Sequence, residues 1–203
     1  MKRALTSKYS KFILCFSFIL LLAISLKNYA FGQENSKKKD KIDLKHSIEA
    51  GYTLGGQIVK ENFIFESGAT FQYLFDIKIS SRIYYGLGLG IEKFDTETFI
   101  PIFLSFKGLI KKKKDAPYLS FQMGYSFAWD KDFNNYDNYN YKGGLLFSTG
   151  FGRIFDVKDN YNIMININFK HQFAKIDYET FDINIYTENL NFDMISLRIG
   201  FMF

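Results

Sequence analysis

The sequence is poor in proline, sulfur and imidazole. Its 203 residues include two prolines, one cysteine, two histidines and one tryptophan. Proline cannot donate to a strand ladder, so its scarcity permits long unbroken strands. A single cysteine, Cys15, excludes an intrachain disulfide. It lies in a stretch expected to be removed, which leaves the remainder without a thiol nucleophile. No metal-binding cluster, phosphate loop or nucleophile elbow is present, and no cofactor is expected. An excess of positive charge is also missing where it would matter. The formal charge is +5, but Lys2, Arg3, Lys8, Lys11 and Lys27 precede every acidic residue. With those five removed, 21 basic residues face 21 acidic ones. A nucleic-acid partner calls for a net basic footprint and is therefore not expected.

The first 32 residues read as a cleaved signal peptide. A basic start precedes the apolar run Phe12 to Leu26, and Ala30-Phe31-Gly32 supplies small residues around a bulky one. Cleavage is placed before Gln33. The apolar run is about 15 residues, short of the ~20 that span a bilayer as a helix. Residues 33–43 hold one apolar residue and read as a flexible polar leader.

What is abundant from residue 44 onward is alternation. Phe and Tyr number 24 and 14, types that favour strands. Eight runs show period two, the mark of strands with two unlike faces. In the first, Leu44, Ile48, Ala50, Tyr52 and Leu54 oppose Lys45, Ser47, Glu49, Gly51 and Thr53. In the fifth, Leu119, Phe121, Met123, Tyr125, Phe127 and Trp129 oppose Ser120, Gln122, Gly124, Ser126 and Ala128. The last sets Ile195, Leu197, Ile199, Phe201 and Phe203 against Ser196, Arg198 and Gly200. Each run is about 11–14 residues, enough for a tilted membrane strand of roughly 9–11. Short turns are expected around Asp76-Ile77-Lys78, Lys111 to Ala116 and Asp156 to Asn160. Long loops are expected at about 130–141 and 175–190, both on the opposite side.

The expected fold is therefore all-β: an eight-stranded antiparallel up-and-down transmembrane β-barrel over residues 44–203. A lipocalin-like barrel alternates too, with its apolar face inside. The polar face here is mostly Gly, Ser, Thr, Asn and Gln, which suits a crowded lumen better than a water-facing wall. Tyr52, Tyr73, Tyr125, Trp129 and Tyr161 lie near ends of apolar rows, as interfacial girdles require.

The run Ile199-Gly200-Phe201-Met202-Phe203 resembles the C-terminal signal of outer-membrane barrel proteins. The stretch from Ile100-Pro101-Ile102 through Pro117-Tyr118-Leu119 to Gly124-Tyr125-Ser126-Phe127 resembles the porin-like outer-membrane β-barrel domain family, small relatives of the OmpA and OmpX type. The resemblance implies an integral outer-membrane location among outer-membrane lipids. It also implies insertion by the barrel-assembly machinery, with Phe201 and Phe203 as the residues read. Both termini are then periplasmic, and a monomer is expected.

Glu49, Glu66, Glu92, Lys107, Lys170 and Arg198 take the lumen parity. A buried charge is costly unless paired, so these six are expected to form an internal salt-bridge network. The two long loops carry Asp, Glu and Tyr, and could meet an extracellular partner. A lipid-modifying enzyme of the deacylase kind would use a His-x-Ser pair. Here the order is His171-Gln172-Phe173, without the serine. The expected function is therefore non-enzymatic, a structural or surface-interaction role through the loops. Lipid A modification and transport of small hydrophobic molecules remain as alternatives.

Overall fold

A computed structural model describes residues 43–59, 62–94, 97–111, 115–129, 139–158, 161–179 and 185–203. The expected signal peptide, and the leader up to residue 42, lie outside the described residues. Nine strands follow in order: β1 (Asp43–Val59), β2 (Asn62–Lys78), β3 (Ile83–Phe94), β4 (Thr98–Leu109), β5 (Ala116–Trp129), β6 (Tyr139–Lys142), β7 (Gly144–Lys158), β8 (Tyr161–Glu179) and β9 (Ile185–Met202). The eight long strands pair antiparallel with their neighbours, and β9 pairs with β1 to close the barrel. Closure matters because a lipid-exposed strand edge would leave backbone N–H and C=O groups without partners.

Partners traced once around the wall show the stagger. From Ser47 they run through Leu74, Gly88, Phe103, Gly124, Leu146, Gln172 and Phe192, and return to β1 at Gln57, ten residues further along. Eight strands with this tilt enclose a lumen that side chains can just fill.

The two faces separate along the middle of every long strand. On β9, Leu197 and Phe201 are each 57% exposed while Arg198 and Met202 are 5% and 1% exposed. The apolar rows face outward on a wall too extensive for a water-soluble surface. Three tyrosines on that wall bond their hydroxyls locally. Tyr52 bonds Ser67 (2.8 Å), Tyr125 donates to the Gly143 carbonyl (3.0 Å), and Tyr73 meets His46 Nδ1 (2.5 Å).

The strands outrun the sequence expectation at both ends. Of the expected 175–190 loop, residues up to Glu179 belong to β8 and those from Ile185 to β9, while 180–184 lie outside the described residues. Beyond the lipid belt the alternation is inverted, with Ile176 and Leu190 buried inward and Lys175 and Asn189 exposed. Of the expected 130–141 loop, 130–138 lie outside the described residues, and Tyr139–Lys142 form β6, paired with β8. Between Lys142↔Lys175 and Leu146↔Gln172 one strand advances four residues and the other three. An extra residue on one strand is a bulge, and it lies at Gly143-Gly144. Asp76-Ile77-Lys78 is also strand rather than turn; the connection falls at 79–82. Asp43, placed in the leader by its sequence, opens β1.

Large rings fit inside because glycines recess the wall opposite them. A Cβ on Gly88 would lie 2.2 Å from the Phe103 ring, and one on Gly152 2.5 Å from the Tyr118 ring. Overpacking of this kind costs about 1–3 kcal/mol. Gly88→Ala should therefore lower barrel stability by about that amount in urea unfolding, and adding Phe103→Leu should recover part of the loss. An unchanged unfolding midpoint in Gly88→Ala would show that the ring does not use the recess.

Candidate functional site

The lumen is the place where chemistry-bearing side chains converge. It is layered along the barrel axis. At the end that holds the chain's C-terminus, Tyr118, Ile154, Met164 and Met202 form an apolar layer. At the far end Phe94, Phe99, Ala174, Ile176, Leu190, Phe192 and Met194 form another. Phe99 and Phe192 meet edge to face at 5.5 Å, and Phe94 stacks near Phe192 at 6.4 Å. Charged and polar groups lie between these layers.

The first charged cluster centres on Lys107, which is 2% exposed. Its Nζ donates to Asp76 Oδ2 (2.8 Å) and to Ser47 Oγ (3.4 Å), and lies 3.8 Å from Glu49 Oε1. Glu49 Oε2 accepts from Gln72 Nε2 (2.7 Å) and Asn166 Nδ2 (3.1 Å), with Arg198 Nε 3.6 Å away. Arg198 also donates to Asn166 Oδ1 (3.1 Å) and to Gln72 Oε1. Asn166 reaches on to the Tyr118 hydroxyl (3.2 Å), and Ser120 donates to Asn168 Oδ1 (3.0 Å). This cluster ties β1, β2, β4, β5, β8 and β9 across the lumen. The second cluster is the pair Lys170–Glu92, joining β8 to β3. A cavity of about 10 Å³ lies between the two, with Gln72 and Arg198 on one side and Glu92 and Lys170 on the other. That is about room for one water molecule.

Of the six charges named from sequence parity, Glu49, Lys107 and Arg198 thus meet in one cluster. Glu92 and Lys170 meet in the other. Glu66 is half-buried further along β2 toward the far end. Sequence reasoning missed Asp76, which is fully buried and is the nearest carboxylate to Lys107. Its signal was parity: Gln72, Leu74 and Asp76 continue one inward row. Parity also hid the apolar half of the lumen. Phe94 follows Glu92 inward, and Phe192 and Met194 extend the row of Ser196 and Arg198. Among the described residues no group of three or more His, Cys, Asp or Glu could hold a metal ion.

Two further sites lie outside the lumen. On the outer wall toward the far end, His171 Nδ1 lies 2.6 Å from Asp193 Oδ1, with Phe173 edge-on to the imidazole at 4.5 Å. Beyond the rim, Lys142 pairs with Asp177, whose Oδ1 accepts from Thr187 Oγ1 (2.8 Å). The Lys142 hydrogen bond, then that of Thr187, hold the Asp177 carboxyl below the usual carboxylate range. A depressed carboxylate favours the folded contact fully above its ordinary range, and that contribution is lost as pH falls from there through the lowered value.

Removing one partner of a buried ion pair strands the other charge, at about 3–5 kcal/mol. Lys107→Met should cost about that much in urea unfolding. Lys107→Met with Asp76→Asn should cost clearly less than the two single changes together. Additivity within about 0.5 kcal/mol would mean that the two residues are not coupled.

No protein-family model matches the sequence, and no curated protein matches it. Solved structures do. The chain is similar to the outer membrane protein AlkL in lipid bilayers, with a TM-score of 0.51 and 12% identity, covering 84% of this chain and 95% of that one. Against OprG from Pseudomonas aeruginosa the TM-score is 0.53 at 9% identity, covering 80% and 97%. Against Neisserial surface protein A it is 0.54 at 10% identity, covering 77% and 95%. At such identities the likeness is one of fold. The chain has the fold of the small eight-stranded outer-membrane β-barrels.

Proposed function

We propose that this chain is an integral outer-membrane protein with a non-conducting lumen, acting through the surface it presents at the far end. The observation that carries this reading is the lumen filling. Two ion-pair clusters cross it, apolar layers close it at both ends, and the cavity between the clusters holds about one water. The far end is assigned to the cell exterior and the termini to the periplasm. In support, the longest sequence interval between successive strands, nine residues before β6, falls at the far end, and longer connections are extracellular in such barrels.

The presented surface is a ridge. The last pairing of β9 with β1 is Asn191↔Ile58, and β8 and β9 pair on together to Glu179↔Ile185, with β6 alongside β8. The Lys142–Asp177–Thr187 contacts tie its three strands. A pre-ordered surface loses less entropy when it binds, which suits contact with an extracellular partner. In planar bilayers the protein should give no porin-like conductance. Steps of porin size would sink this reading.

The His171–Asp193 pair favours a second reading, a lipid-modifying enzyme. A carboxylate orienting an imidazole is the base half of a nucleophilic site. Mass spectrometry of lipid A from a deletion strain decides between them. An acyl chain gained or lost would replace the first reading with the second.

Assembly is proposed to depend on Phe201 and Phe203, read by the barrel-assembly machinery. In the folded barrel Phe203 exchanges backbone hydrogen bonds with His46 (2.8 Å each way), and the two rings stack at 5.7 Å. Deleting Phe203 should lower the outer-membrane level severalfold, while His46→Ala should leave it near normal. Equal levels for the deletion and the intact chain would refute the signal role.

A further inference from the structure

Arg153 interrupts an apolar row on the outward wall. On β7 the outward residues Phe151, Arg153, Phe155 and Val157 follow one another toward the end that holds the chain's C-terminus. Phe151 and Val157 are 49% and 61% exposed, so Arg153 has lipid-facing apolar neighbours on both sides. Its register partners are Pro117 on β5 and Ile165 on β8, and Ile165 is exposed as well. Tyr161, outward and exposed, stands four residues nearer the end of β8 than Ile165. Aromatic residues of such barrels collect at the interface, so Tyr161 marks the headgroup level. With a rise of about 3.3 Å per residue and a tilted strand, the Arg153 backbone lies roughly 10 Å inside that level.

The side chain turns back toward that rim. Its guanidinium lies over the ring of Phe155, the next outward residue in that direction, 5.2 Å from the centroid. A ring face attracts a cation without neutralising it. Among the described residues no carboxylate lies within ion-pair distance of Arg153. Asp115, at the same rim, gives its Oδ1 to the Asp156 N–H (2.7 Å). Arginine cannot shed its proton, and a charge on the lipid face is costly in proportion to its depth. The anion that lipid itself supplies at this level is the headgroup phosphate. A planar guanidinium matches a phosphate with two parallel N–H bonds. We propose that Arg153 binds the phosphate of one phospholipid on the β5–β7–β8 wall, with the Phe155 ring fixing the guanidinium and the acyl chains lying along Phe151 and Ile165. The choice of a phospholipid rests on the periplasmic assignment of the termini; the contact with phosphate does not.

The test is an NMR titration of the full barrel in non-ionic detergent with dihexanoyl phosphatidylglycerol. Dihexanoylglycerol, which lacks the phosphate, and inorganic phosphate serve as controls at equal concentration and ionic strength. The phospholipid should shift the Arg153 Nε–H and the Phe155 ring resonances saturably, and neither control should. Arg153→Gln should weaken binding, read on the Phe155 ring, about tenfold or more, since charge-assisted bonds are lost. Arg153→Lys keeps the charge without the paired geometry and should weaken it severalfold. Both variants are compared in barrels of unchanged heat-shifted mobility. No saturable shift in the intact barrel would overturn the proposal. So would an equal response to dihexanoylglycerol, which would reduce the contact to apolar packing, or unchanged binding in folded Arg153→Gln. A matching response to inorganic phosphate would overturn it by making the ligand a free anion. Preference for a lipid A phosphate over phosphatidylglycerol would overturn the choice of phospholipid and the placement of the termini together.

Discussion

The rest of the structure depends on one constraint: in hydrocarbon every backbone N–H and C=O must be paired within the protein. A sheet meets that condition only by closing on itself. Closure with eight strands and a stagger of ten residues then sets the width of the lumen, and the width decides what the inward residues can be. They must fill the space and satisfy one another. The glycine recesses under Phe103 and Tyr118, the cross-barrel ion pairs and the two apolar end layers are all answers to that one requirement.

Charge inside such a wall is tolerated only in company. Glu49 shows how the company is assembled. It approaches Lys107 and Arg198 and also accepts from two amides, Gln72 and Asn166. Any one of these contacts alone would leave lone pairs unmet in a low-dielectric interior. Together they hold strands that are neighbours and strands that face one another across the lumen. The cluster therefore serves as a cross-brace. A pore would need the same groups to separate.

What could be read from the sequence follows from the same physics. Lipid outside and a filled lumen inside impose opposite demands on successive residues, so face assignment was legible wherever both demands act, as in Leu119 to Trp129. Beyond the belt it inverts: along Lys175-Ile176-Asp177 the apolar residue is the inward one. It misled at Asp76, whose Asp-Ile-Lys context looks like a turn while the strand carries on to Lys78. The list of lumen charges was readable by parity, but their pairing was not. Which carboxylate reaches Lys107 depends on the stagger around the barrel, and no local pattern records that number. The buried phenylalanines were hidden for a related reason. Phe192 is inward only because its row began at Arg198, six residues later.

The seam between β1 and β9 carries a further consequence. It joins the first described strand to the last, with His46 bonded to Phe203. Contacts this remote in sequence are slow to form, and a chain made from its N-terminus must complete β9 before the seam can close. Until then β1 offers an unpaired edge, a template for stray strand addition. That edge stays open until β9 has paired along β1 and the wall is continuous.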